Sequence, residues 1–209
     1  SNIDFRLGLS ATPERWYDDA GTDGLNKYFE NGVIFQFGLR EAIGTYLTEY
    51  YYYPHLVTLT EEENEDYLNL SKEIARRFVQ DEDYELTGNT VLKHLLIQRA
   101  RLLSSAKNKL VRLKEIMTEQ KHSNFNLFYC GDAKIGGERQ IDRVVSLLGR
   151  ELGMRVHPFT AQEDPRERRE LLQRFEAGQL QGLVAIRCLD EGVDVPATQN
   201  AYILASSTN

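Results

Sequence analysis

The fold of this chain is decided by the stretch Leu183-Val-Ala-Ile-Arg-Cys-Leu-Asp-Glu-Gly-Val-Asp-Val-Pro196. Its first half is almost entirely apolar, which is typical of a strand buried on both faces of a parallel sheet. Its second half turns at Gly192, which lacks the Cβ that would hold a ligand away, and Pro196 stiffens the exit. A glycine turn after a buried strand is also an ordinary structural feature, so its meaning depends on the sequence around it.

Strands and helices alternate on both sides of this stretch. Apolar runs predict strands at residues 125–130, 155–159, 183–189 and 201–205. Apolar residues at helical spacing predict one helix over 141–152, and Asp164-Pro165 predicts the start of another, which Gly178 ends. The alternation therefore predicts an α/β fold, with a parallel sheet covered by helices.

Three more helices are predicted before this sheet, over residues 60–79, 90–103 and 107–119. The first has a good start, because the Thr60 hydroxyl can cap it and three glutamates follow at its positive end. The third has an apolar face formed by Leu110, Leu113 and Met117. We expect residues 61–120 to be a helical elaboration that precedes the main sheet.

Residues 1–54 do not look like a complete domain. Patterns in this segment predict short helices at 25–29 and 39–43 and a strand at 33–37. A further strand is predicted just beyond Pro54, at 55–60. Four consecutive tyrosines lead into Pro54, where we place a domain boundary. Their rings could stack on bases, but successive side chains of an extended segment point to opposite faces, which favours packing at the crossing between domains.

The chain opens with Leu7-Gly8-Leu9-Ser10-Ala11-Thr12-Pro13, an apolar strand end that delivers two hydroxyls into a turn. This resembles the Ser-Ala-Thr motif of superfamily 2 helicases and translocases, motors that hydrolyse ATP while moving along nucleic acid. The stretch 183–196 is similar to motif V of the same superfamily. Two motifs in the family's order make the resemblance much stronger than either alone.

The resemblance implies a RecA-like parallel sheet flanked by helices, with an N-terminal partial segment and a helical insertion. Residues 1–54 would be the end of a first RecA-like motor domain with the crossing segment. Residues 55–209 would be the second such domain, incomplete at its C-terminus. The strand at 7–10 would be separated from its own sheet, so we expect it to pack irregularly or against a neighbouring molecule.

Roles for individual residues follow from the same resemblance. Ser10 and Thr12 would couple the nucleotide state to the grip on nucleic acid. Gly192 and Asp194 would lie at the bound nucleotide.

Three residues are candidates for nucleic-acid contact. The resemblance implies that Arg187 and Cys188 face the nucleic acid. Lys134 lies in a loop that follows a predicted strand's carboxyl end, where open α/β sheets place ligands, so it could hold a phosphate. An ordinary solvated loop is an equally open interpretation of this segment.

Catalysis is expected to need more than this chain. No Gly-x-x-x-x-Gly-Lys-Ser/Thr phosphate loop occurs in the sequence, so the apolar run ending in Asp190-Glu191 lacks the partner of a magnesium-holding motif. In the family, the phosphate loop and that acid precede the Ser-Ala-Thr motif. We expect ATP and Mg²⁺ to bind the intact parent protein, and neither to be held tightly by this chain alone. We also expect this chain to have no complete set of catalytic residues, no metal site and no ATPase activity.

Composition limits the partners. A net charge of −7 over 209 residues argues against a surface that binds nucleic acid everywhere, so the contact must be local. Cys130 and Cys188 lack metal-ligand spacing and favour reduced thiols in a cytoplasmic protein. No apolar stretch reaches membrane-spanning length, so no membrane partner is expected. The expected partners are DNA, with RNA left open, and the missing first RecA-like domain.

Two other functions stay open. A degenerate motor domain could act as a non-catalytic interaction module, which the acidic charge and the missing phosphate loop would fit. A free-standing nucleotide-binding α/β protein would bind ATP by itself, and Asp194→Ala would abolish that binding.

Overall fold

The computed structural model describes residues 6–10, 13–14, 18–30, 32–80, 90–131, 134–135, 137–186 and 195–205. The chain divides into two compact units, Ser1–Pro54 and His55–Asn209. No helix in the described part of the chain is both long and apolar enough to cross a lipid bilayer.

The first unit contains two helices, α1 (Asp19–Tyr28) and α2 (Leu39–Ala42). Asp18 caps α1 by accepting a hydrogen bond from the Gly21 amide at 2.8 Å. Ala42 is the one residue that is buried among those described in this unit. The helix predicted at 39–43 is confirmed, whereas the helix predicted at 25–29 is longer and begins six residues earlier, at Asp19. The two helices enclose almost no core.

The described residues of the first unit form no sheet. The strand predicted at residues 33–37 is wrong, because this segment is exposed and pairs with no other strand in the described residues. β-branched and aromatic residues favour a strand only where a neighbour pairs with it. Residues 6–10 are likewise irregular and exposed, as expected for a strand without its sheet. The tyrosines at 50–53 are exposed as well, and their packing at the crossing between domains stays a prediction.

The second unit begins with three helices, α3 (Glu61–Gln80), α4 (Thr90–Ser104) and α5 (Lys107–Gln120). All three confirm the predicted segments, and α3 packs against α4. Thr60 and Glu63 form the expected capping box, since each accepts a hydrogen bond from the other's amide. The strand predicted at 55–60 is wrong: this segment has no regular secondary structure and no partner strand among the described residues.

The strands of this unit are β1 (Asn126–Cys130), β2 (Lys134–Ile135), β3 (Glu138–Arg139), β4 (Val156–Phe159), β5 (Gly182–Ile186) and β6 (Asn200–Ile203). Four of them form a parallel sheet in the order β4-β5-β1-β6. The other two, β2 and β3, form a separate antiparallel hairpin. All four sheet strands fall within or beside predicted strands.

Helices cover both faces of the sheet. On one face lie α5 and α6 (Gln140–Ser146), which continues as a π-helical turn, Leu147–Glu151. Their core includes Met117, Phe128 and Leu148. On the other face α7 (Pro165–Glu176) packs Leu171 and Phe175 against β4 and β5. The predicted α/β class, with a parallel sheet flanked by helices, is confirmed.

Candidate nucleic-acid edge of the sheet

The parallel strands end at one edge of the sheet, which we call the carboxyl edge. Tyr129 of β1 is opposite Ile203 of β6, and Cys130 is opposite Ile186 of β5. The ends of β1, β5 and β6 therefore lie side by side. Open α/β sheets bind ligands at this edge, so a ligand of this sheet is expected there.

The structure describes two of the seven candidate residues. Lys134 is in β2, exposed, and Ser10 is exposed in the irregular start of the first unit. The other five lie outside the described residues: Thr12, Arg187, Cys188, Gly192 and Asp194. Their roles in coupling, nucleotide binding and nucleic-acid contact stay predictions, and so does the fit of ATP and Mg²⁺ to this chain.

Lys134 is presented by the short hairpin of β2 and β3, where it lies opposite Arg139. Arg139 donates two hydrogen bonds to the Asp142 carboxylate, at 2.8 and 2.9 Å. These bonds lower the pKa of Asp142. Because the charge of Arg139 is offset in this way, Lys134 is the better candidate in the hairpin for contact with a phosphate.

Gln140 closes the base of the loop that carries this hairpin. Its Oε1 accepts a hydrogen bond from the Gly131 amide at 2.7 Å, and its Nε2 donates to the Ser104 carbonyl at 2.9 Å. The side chain is fully buried. Sequence patterns missed this residue, because the predicted helix began at Ile141 and no local signal marks a glutamine that bonds to distant backbone.

Lys109 makes a second link at the same place. Its Nζ donates to the Leu204 carbonyl at 2.7 Å and to the Ser104 carbonyl at 3.4 Å. Burial lowers the pKa of this amine. The end of α4 is thus bonded both to the loop after β1, through Gln140, and to the end of β6, through Lys109.

The turn after β4 is held by its own side chains. Glu163 Oε2 accepts from the Thr160 amide at 2.7 Å and from its hydroxyl at 2.9 Å. Arg168 donates to the Thr160 carbonyl at 3.1 Å, and its guanidinium lies 6.0 Å from the centre of the Phe159 ring. Arg168 therefore binds the turn and packs near Phe159 within the fold, which makes it a poor candidate for contact with a phosphate.

A shallow cavity of about 350 Å³ lies between β4 and α7. It is lined by His157, Gln162, Glu163, Glu167, Glu170, Leu171 and Arg174. Its three carboxylates disfavour a phosphate group through like-charge repulsion. No group of three or more His, Cys, Asp or Glu residues in the described ranges is arranged to hold a metal ion.

Known proteins resemble this chain over most of its length. The family described as helicase conserved C-terminal domain matches residues 108–209. The DNA 3'-5' translocase XPB2 of Sulfurisphaera tokodaii is 28% identical over 217 residues, covering 96% of this chain and 46% of that protein. The chain thus spans about half the length of this curated relative.

A solved structure, the Hef helicase domain of Pyrococcus furiosus, is 24% identical, with a TM-score of 0.37. The match covers 66% of this chain and 29% of that one. The family match is the more informative, since residues 108–209 run from α5 to beyond β6 and include the whole parallel sheet. The second unit of this chain is therefore similar, over its whole parallel sheet, to the family of helicase conserved C-terminal domains.

Proposed function

We propose that this chain is part of an ATP-dependent DNA helicase or translocase. In this proposal the sheet of the second unit forms one wall of an ATP cleft between two motor domains, and its carboxyl edge forms part of the nucleic-acid track. The observation that carries the proposal is the shared edge at which β1, β5 and β6 end, within the region similar to helicase conserved C-terminal domains. DNA is favoured over RNA because the relative XPB2 is named a DNA translocase.

The catalytic work is divided in this proposal. Phosphoryl transfer needs a loop that cradles the phosphates and an acid that holds magnesium, and this sequence has no phosphate loop. The partner motor domain would supply them. Hydrolysis of ATP bound with Mg²⁺ would supply the free energy, while Gly192 and Asp194 would contact the nucleotide from this side. The isolated chain is expected to lack ATPase activity.

The exposed apolar side chains of the first unit support the proposal that another domain covers them. Its apolar side chains Leu7, Leu9, Ile34 and Phe35 are each more than three-quarters exposed, and Ala42 alone is buried among its described residues. Burial of apolar surface is the main force that stabilises a fold. We infer that this unit is stable only when it completes the core of a first RecA-like domain, where Ser10 and Thr12 would couple the nucleotide state to the grip on nucleic acid.

The activity of the full-length protein tests the proposal. ATP hydrolysis is measured with and without duplex DNA, with single-stranded RNA as the alternative polymer. We expect hydrolysis to rise on adding DNA, and we expect this chain alone to hydrolyse no ATP. A full-length protein without any ATPase activity would contradict the proposal and favour a non-catalytic interaction module. If RNA alone stimulated ATP hydrolysis, RNA would replace DNA as the proposed substrate.

The contact of Lys134 with DNA is tested by Lys134→Ala. If its ammonium lies on a phosphate, the variant should bind DNA of any sequence more weakly, and the salt dependence of log K should decrease by about 1. Lys121→Ala is the matched control, since Lys121 is an exposed lysine before β1, towards the opposite edge of the sheet. Equal affinities of the wild type and Lys134→Ala in a fluorescence anisotropy titration would exclude this contact.

A further inference from the structure

We propose that Gln140 is a positioning residue: it fixes the base of the hairpin loop to the end of α4, so that α4 and α5 determine where Lys134 is presented. The hydrogen bonds at the two ends of the loop are seen in the structure. Its effect on DNA binding rests on the proposed function.

The first step is the geometry of the side chain. Gln140 Oε1 and the Gly131 nitrogen are 2.7 Å apart although the residues are nine positions apart in the sequence, so one hydrogen bond closes the loop at its base. The same amide group binds the Ser104 carbonyl through its nitrogen. A buried amide whose two ends are both bonded to backbone has one preferred orientation. It therefore holds Gly131 and Ser104 at a fixed separation.

The second step is that the surroundings leave Gly131 little room to move. A Cβ added at Gly131 would lie 3.0 Å from the Ala205 Cβ and 3.5 Å from the Ser104 Oγ. Lys109 bonds Ser104 to the Leu204 carbonyl. The ends of α4, β1 and β6 thus meet at one point, which we call the joint: Ser104, Lys109, Gly131, Gln140 and Leu204.

The third step concerns the hairpin itself. β2 and β3 have two residues each, and Lys134 and Glu138 are exposed. A two-stranded ribbon of this length does not fix its own position against the rest of the protein. Its placement comes from the two ends of the loop, Gly131 and Gln140, which belong to the joint, and from the pair of Arg139 and Asp142, which ties β3 to α6.

A matched control lies at the amino edge of the same sheet. Gln181 is also buried, donates to the carbonyls of Lys121 and Ser123, and accepts from the Arg155 amide at 3.1 Å. It is thus a second glutamine that bonds to distant backbone, but it is away from the hairpin. Replacing each by methionine keeps the side chain's length and removes its strong hydrogen bonds.

The experiment compares Gln140→Met with Gln181→Met in the chain as it is, and in the full-length protein. Thermal unfolding reports stability, anisotropy with a labelled DNA duplex reports affinity, and amide hydrogen exchange reports local order. We expect both variants to lower Tm, whereas only Gln140→Met should weaken DNA binding, by about fivefold. Only this variant should speed the exchange of amides at residues 131–135.

A double variant separates positioning from general loss of stability. If Gln140 acts through Lys134, then Gln140→Met should have no further effect on affinity once Lys134 is alanine. Should Gln140→Met fail to fold, Lys109→Met removes the other link of the joint, with the exposed Lys114→Met as its control on α5.

Equal losses of affinity in the two methionine variants would overturn the proposal, as would full additivity with Lys134→Ala. If the wild type bound no DNA, the proposed function would fail, but the exchange measurement would still decide the position of the loop. Faster exchange at 131–135 confined to Gln140→Met would support the joint, and equal exchange in both variants would overturn it.

Discussion

Gly182 begins β5 at a position with no room for a side chain. A Cβ there would lie 2.8 Å from the Phe128 Cε2 and 3.1 Å from the Asn126 carbonyl oxygen, a backbone atom that cannot move away cheaply. We expect Gly182→Ala to destabilise the second unit by about 1–3 kcal/mol, as overpacking in a core does. Gly149→Ala is the control, since its nearest neighbours are at 3.9 Å. Equal Tm values for the two variants would contradict this packing.

Cys130 ends β1 inside the core. Burial raises the pKa of its thiol to about 12. Because the thiolate is the reactive form, we expect iodoacetamide at pH 8 to leave Cys130 unmodified in the folded chain and to alkylate it in guanidinium chloride. Peptide mass spectrometry separates this residue from Cys188. Equal rates in the folded and unfolded chain would show that the thiol is accessible.

Among the elements, the start of α3 is tied to the start of α5 by one carboxylate. Glu63 accepts from the Thr60 amide at 3.0 Å and from the Lys107 amide at 2.9 Å. Burial raises the pKa of Glu63, but these hydrogen bonds and the charge of Lys107 outweigh it, so the pKa lies below the ordinary value of 4.5. The ionised group therefore stabilises the folded state above that pH.

We expect Glu63→Gln to lower the free energy of unfolding at pH 7 by about 1 kcal/mol. The difference from wild type should shrink as the pH falls below 4.5 and should be lost once the pH passes the lowered pKa, because Glu63 is then protonated. Urea unfolding at several pH values measures it. The control Glu62→Gln removes an exposed ion pair with Lys107 and should have little effect. A difference that is constant with pH would refute the role of the charge.

Local signals were enough to predict most elements of the second unit. The capping residues Thr60 and Asp164 give a helix start from sequence alone, and Asp164 accepts from the amides of Arg166 and Glu167 as expected. The wrong strands at 33–37 and 55–60 have a common cause, since a strand depends on a partner that a local pattern does not contain. Gln140 and Lys109 were missed for a similar reason, because their partners are distant in the sequence.

For the whole molecule, the two units should differ in how readily they open. The second unit has two buried clusters around its sheet, whereas the described part of the first unit buries Ala42 alone. We expect amides of the first unit to exchange within seconds and those of β1 and β5 to exchange only on global unfolding. Mass spectrometry of peptides from each unit measures this. Equal protection in both units would contradict the inference that the first unit needs a partner domain.

The bond between Gln140 and Gly131 has a consequence for evolution and for engineering. This hydrogen bond joins the two ends of the loop, and the entropic cost of closing a flexible loop grows only with the logarithm of its length. Doubling the length of such a loop costs only about 0.6 kcal/mol. Insertions at the turn between β2 and β3 should therefore be tolerated, and this turn is a natural place for sequence length to vary among relatives or for a fluorescent label to be attached.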